Sequence, residues 1–476
     1  MEKTNLQRVL RTLTKQEWRS LGDFIASPYF NKNEKFVKFY SRLSPYYGLF
    51  EISEPQKIKI YRQVTKSAEF NDPSYRNLCS DFLELVQTFL AWEYMSKENT
   101  IRQQFLTKAL LDKQINDLAE KNIVKTEKEI LKPGQFDTLE KLRSLIWIND
   151  SAILLSILNN RTRINASNEA MKNDTTYRLV TEWALVKIFN SFLNYIKACN
   201  NSGSIIDEKR IRLFLEMYDD LKPFEEVITE IYYLMVKMII DNDSEVYFNA
   251  RKLFNKNKNT IHIKNHENIL IGLLDYVNNN LHRDESWRQE LFELSVIKLN
   301  DKLWKENKGL SYTTLFNAFM NALHMDKLAY AEKMIKQNLQ YIHPSVRASM
   351  EHLCRAWLLF HQGDLDKAHE SLTKVETENI LIKYELRTLQ CLLYFEKNEW
   401  EVLISYLESF RHFILYNKAN LDKKVTALFS EFTKYLTALV KIQFHPAKKD
   451  ATALREQIEN AGQVYLKPWF LSKLGA

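Results

Sequence analysis

The chain has 476 residues and a formal net charge of +7, from 67 basic and 60 acidic side chains spread along its length. So small a surplus over so long a chain does not mark a dedicated nucleic-acid binder, which concentrates its basic residues in one stripe. With only 9 Gly and 9 Pro, against average usage of about 7% and 5%, the chain has few tight turns and few phosphate-cradling loops. The composition predicts an almost wholly helical protein.

The opening MEKTNLQRVLRTL has neither the apolar core nor the small-residue cleavage site of a secretory signal. Thr14 and Glu17 form a capping-box pair, which predicts a helix start. Pro28, Pro45 and Pro55 then punctuate short helices. Asp72 reads as an N-cap before Pro73. From Ser74 to about Met95, Leu78, Phe82, Leu85, Phe89 and Trp92 recur at helical spacing, which predicts one long amphipathic helix. These elements make residues 1–130 an N-terminal helical module. Lys132-Pro133-Gly134 breaks the chain, Leu139 to Leu158 reads as an apolar helix, and the polar stretch Asn159 to Thr176 reads as a loop or joint. A second long helix is expected from Tyr177 to Cys199, closing on Asn201 to Gly203, so residues 131–205 form a connecting segment. From about Ile206 to the end, helical segments alternate with short polar breaks. Those breaks are Lys222-Pro223, Asp241 to Ser244, Asn278 to Asp284, Asn307 to Gly309, and His343-Pro344.

Within 206–476 three stretches repeat one pattern: His324 to Ile335, His361 to Leu372, and Glu396 to Leu407. Asp326, Gly363 and Asn398 share one slot; Leu328, Leu365 and Trp400 share the next; Ala331, Ala368 and Leu403 share a third. The first slot steps by 363 − 326 = 37 and 398 − 363 = 35 residues. Self-similarity at a period near 34 residues marks a solenoid of helical hairpins.

These residues resemble the tetratricopeptide family from about Tyr312 to Phe410. The middle unit carries the match: Ala356 and Leu359 on its first helix, Gly363-Asp364-Leu365 at the turn, and Ala368, Leu372 and Val375 on its second helix. The small residues let paired helices approach closely. The unit at Trp400 departs, with Asn398 for Gly and Leu403 for Ala, and the earlier unit has Asp326 for Gly. The resemblance implies a concave groove lined by first helices that grips another protein or peptide. Its candidate partner-binding residues here are Phe316, Met320, Met350, Leu353, Trp357, Phe360, His361, Leu392 and Phe395. A set this apolar is either covered by another helical layer, such as the N-terminal module, or open to a partner's apolar segment. The opening also resembles an uncharacterised family of large helical bacterial proteins, seen mostly in Bacteroidota, through Leu13 to Glu17, Ser27-Pro28-Tyr29-Phe30-Asn31 and Tyr75-Arg76-Asn77. That resemblance implies no activity.

The sequence contains no P-loop, dinucleotide fingerprint or nucleophile elbow. His262 and His266 stand four apart but lack the order of a zinc-protease helix, and read as surface or helix-start residues. His361 and His369 read as surface histidines flanking a turn. Arg251, Lys252, Lys256, Lys258 and Lys264 form the densest basic cluster and read as a solvated loop. Cys79, Cys199, Cys354 and Cys391 lie far apart with no C-x-x-C pair, which suits a reducing compartment. The longest apolar tract, Ile231 to Ile240, contains Lys237 and is too short to span a bilayer.

The sequence therefore leads us to expect an all-α protein: an N-terminal helical module, then a tetratricopeptide-like hairpin solenoid with C-terminal capping helices. The expected role is a cytoplasmic, non-catalytic protein-interaction scaffold or adaptor, with no cofactor, no metal and no membrane span. The alternative is a nucleic-acid-associated or peptide-responsive regulator using the N-terminal module.

Overall fold

The structure is a computed structural model; it describes residues 4–159, 166–221, 226–281, 286–300, 309–421, 423–444, 448–461 and 464–475. Among these residues every regular element is a helix, and the one β-type pairing is an isolated bridge between Leu310 and Ile342. The predicted break at Lys222-Pro223 lies outside the described residues, as do Asn307 and Lys308 of the break at Asn307 to Gly309 and the end of the break at Asn278 to Asp284. The chain divides into two compact units, Met1–Ile130 with Trp147–Ser167, and Leu131–Ile146 with Asn168–Ala476. Residues 131–205, expected as one connecting segment, are thus shared between the two.

The first unit begins with α1 (Asn5–Leu10), α2 (Lys15–Ala26), α3 (Glu34–Leu43), α4 (Glu54–Thr65) and α5 (Asp72–Lys97). Thr14 caps α2 through the capping box its sequence predicts, with Glu17 returning a carboxylate oxygen to the Thr14 N–H at 2.9 Å. Helix α5 is capped by Asn71, whose side chain accepts from the Ser74 amide at 2.8 Å. Asp72, expected in that role, is the first helical residue, where its carboxylate still favours the positive end of the helix. Trp18 stacks on Tyr40 at 4.5 Å, and the Tyr40 hydroxyl donates to the Trp18 carbonyl. A Cβ on Gly22 would lie 2.7 Å from that hydroxyl, so glycine sets how closely α2 and α3 approach. A hairpin of α6 (Asn99–Asp112) and α7 (Asn116–Ile130) follows.

Helix α8 (Thr138–Leu158) leads to α9, which runs from Ala166 to Ser202. Most of the stretch expected as a polar loop is therefore helix. Its residues Glu169, Ala170, Met171 and Lys172 are strong helix formers. Periodicity missed it because Asn173, Asp174 and Thr175 are all exposed, and a helix with little buried face carries little apolar signal.

The second unit continues with α10 (Glu208–Leu221), α11 (Val227–Asp241), α12 (Ser244–Asn257), α13 (Ile263–Asn280) and α14 (Trp287–Asn300). Then come α15 (Tyr312–His324), α16 (Leu328–Asn338), α17 (Pro344–His361), α18 (Leu365–Thr373), α19 (Ile380–Glu396), α20 (Trp400–Asn417), α21 (Lys423–Phe444), α22 (Lys448–Asn460) and α23 (Lys467–Lys473). Each helix packs mainly on its neighbours in sequence, giving a solenoid-like succession of hairpins.

One turn recurs through these hairpins. Asp326, Gly363 and Asn398, aligned by sequence alone, all have left-handed backbones, with φ of 54°, 80° and 58°. After each, the next N–H reaches back five residues: Lys327 to Ala322, Asp364 to Leu359 and Glu399 to Tyr394, at 2.9 to 3.0 Å. Gln114 and Asn242 make the same turn between α6 and α7 and between α11 and α12. This closure satisfies the last carbonyls of the first helix and aims the chain into the second. Ala331, Ala356, Ala368 and Leu403 have no exposed surface, and Trp400 is half-buried against Phe395.

Candidate functional site

A cleft of about 590 Å³ opens in the second unit along α15. Thr313, Phe316, Asn317, Met320, Asn321 and His324 recur at three- and four-residue steps, so they share one helical face, and that face forms one wall. Helix α13 adds Leu274, Asp275 and Asn278; α14 adds Leu291, Ser295 and Lys298; α17 adds Met350 and Leu353; α19 adds Ile382 and Glu385. Phe429 of α21 and Tyr465 close the far side. Phe316, Met320, Met350 and Leu353 are each at most 7% exposed and make an apolar floor. An Asn321 amide donates to the Ser295 hydroxyl at 2.9 Å, tying α15 to α14.

Three titratable groups face this floor. Burial holds the half-buried Lys298 ammonium below the usual lysine range, against the opposing pull of Glu267 and Asp275. Burial lowers His324 to about 3, helped by the charge of Arg288, so its imidazole is neutral at physiological pH. The His324 Nε2 is buried with no hydrogen-bond partner. Burial raises Glu385 to about 7, although the Tyr465 hydroxyl donates to its Oε2 at 2.6 Å and so favours the carboxylate.

Of the nine residues expected in the groove, Phe316, Met320, Met350 and Leu353 line this cleft together. Trp357 and Leu392 have no exposed surface, Phe360 is half-buried and His361 is exposed. Trp357 and Leu392 belong to the core between hairpins, where large side chains fill space that smaller neighbours leave. Phe395 is covered by the C-terminal segment. Trp469 packs on it at 5.2 Å, while the Trp469 indole N–H and the Lys473 ammonium both donate to the Glu396 carboxylate, at 2.8 and 2.7 Å. Tyr465 and Lys298 escaped sequence reasoning, whereas Glu385 stands at a position the repeat resemblance puts on the groove. The role of Tyr465 and Lys298 depends on residues distant in the chain converging, and nothing in local spacing signals that.

The other polar candidates have structural work. His262 caps α13, its ring nitrogen accepting from the Lys264 amide at 3.3 Å, and His266 packs on Phe254 at 4.7 Å. Arg251, expected in a solvated basic loop, is 8% exposed on α12 and donates to Glu290 at 2.8 Å, where Tyr247 also donates at 2.6 Å. His361 is exposed as expected, while His369 is half-buried near Tyr394. Among the described residues no group of three or more His, Cys, Asp or Glu side chains is arranged to hold a metal, and no helix is long and apolar enough to cross a membrane. Comparison with known proteins adds no name: no family model, curated protein or solved structure matches the chain significantly.

Proposed function

We propose that this chain is a non-catalytic interaction scaffold of tetratricopeptide-like hairpins, holding a segment of another protein in the cleft along α15. The observation that carries this reading is a cleft of about 590 Å³ lined by the partly exposed apolar residues Leu274, Tyr312 and Leu381 beside the buried Phe316, Met320, Met350 and Leu353. Largely preformed apolar clefts with a few convergent polar groups are where recognition concentrates. Four unpaired cysteines, three of them buried, support a reducing compartment such as the cytoplasm.

The test is site-specific photo-crosslinking in the protein's own cells. A photoreactive residue replaces Asn317, exposed on the cleft wall, or Tyr416, which is 87% exposed and does not line the cleft. A discrete crosslinked species is expected from position 317 and not from 416. Absence of any such species at 317, with the chain folded and expressed, removes the reading.

A further inference from the structure

If the cleft holds a partner's segment, its polar groups decide which segment. Lys298 projects from α14 among groups that withdraw its ammonium from water, and among the described residues no acceptor comes within hydrogen-bonding reach of it. Glu267 and Asp275 act on it only through space, and Asp275 is engaged with Lys197 at 3.6 Å. A cation in that position has lost hydration without gaining a partner, a deficit that an incoming anion removes. Glu385 on α19 also lines the cleft, but burial leaves it substantially protonated near neutral pH, so Lys298 is the group that sets where the anion lies. Apart from Asp275, the rest of the lining is apolar or neutral. From Asn317 to His324 the helix rises about 10 Å, the reach of roughly three extended residues.

We propose that the cleft selects a protein segment carrying a side-chain carboxylate beside bulky aliphatic side chains, the carboxylate on Lys298 and the aliphatic groups against the partly exposed Leu274, Tyr312 and Leu381. This rests on the docking reading above and gives it a chemistry.

Random dodecapeptides displayed on phage, selected on the full-length chain and on Lys298→Met and Lys298→Glu variants, test this. The wild type is expected to enrich Asp or Glu next to Leu, Ile, Met or Phe by about tenfold, the equivalent of ~1.4 kcal/mol. Lys298→Met should keep the aliphatic preference and lose the acidic one; Lys298→Glu should turn it towards Lys and Arg. Removing a half-buried charge should leave Lys298→Met melting at or above the wild type, so that variant decides even if Lys298→Glu fails to fold. Aliphatic peptides without acid preference, or an acid preference that survives Lys298→Met, overturn the assignment and leave the docking site standing. If no selected peptide blocks the crosslink from position 317, both readings fall.

Discussion

Gly363 sits at φ +80° with no atom near the position its Cβ would occupy, so replacing it tests backbone strain alone. Gly363→Ala should cost about 1 kcal/mol, and Asp326→Gly and Asn398→Gly, which relieve the same strain, should each gain up to about 1 kcal/mol. Urea denaturation checks all three. The two buried titratable groups of the cleft act in opposite directions. Glu385 has its folded value raised to about 7 from the ordinary 4.5, so the folded state holds its proton more tightly and stability falls as pH rises from about 4.5 to 7. Glu385→Gln should therefore melt close to the wild type at pH 5 and several degrees above it at pH 8. His324 is lowered to about 3 from 6.5, so its contribution is full above 6.5 and is lost as pH falls towards 3. His324→Gln should flatten that acid limb, read as melting temperature against pH.

Helix pairs stay together here by small residues at crossings and by a few buried polar bonds. Ala368 has no exposed surface on α18, which packs on α17, so Ala368→Phe forces an aromatic ring into a filled space and should cost about 1–3 kcal/mol, seen as a lower urea midpoint. Arg251→Ala removes the cation paired with Glu290 between α12 and α14, leaving Tyr247 as a neutral donor, and should cost about 3 kcal/mol. His262→Ala, near neutral for a surface histidine, becomes a cap deletion and should cost about 1 kcal/mol. Equal, small shifts from all three would contradict these assigned contacts. The hairpins were legible in the sequence because the turn needs a residue that accepts a left-handed backbone, and Asp, Gly and Asn announce one. Gln114 does not announce it, and the hairpin of α6 and α7 went unread for that reason.

At the scale of the whole chain, the second unit includes residues that precede the polar stretch. Leu142 is buried in its core, Thr138 accepts from Asn265 at 2.9 Å, and Lys141 pairs with Glu226. A fragment beginning at Leu131 should thus melt several degrees above one beginning at Asn168, despite ending at the same residue. Equal melting would place residues 131–146 outside that core. By itself the sequence determined most of the helices, the turns at Asp326, Gly363 and Asn398 and the three-fold repeat they mark, because spacing, capping and scarcity of Gly and Pro act over a few residues along the chain. Only the tertiary structure decided which groove residues line a cleft, that Trp469 packs over Phe395, and that Tyr465, Lys298 and Glu385 line that same cleft. Those outcomes depend on groups far apart in sequence meeting in space, and a pattern of neighbours carries no record of such meetings.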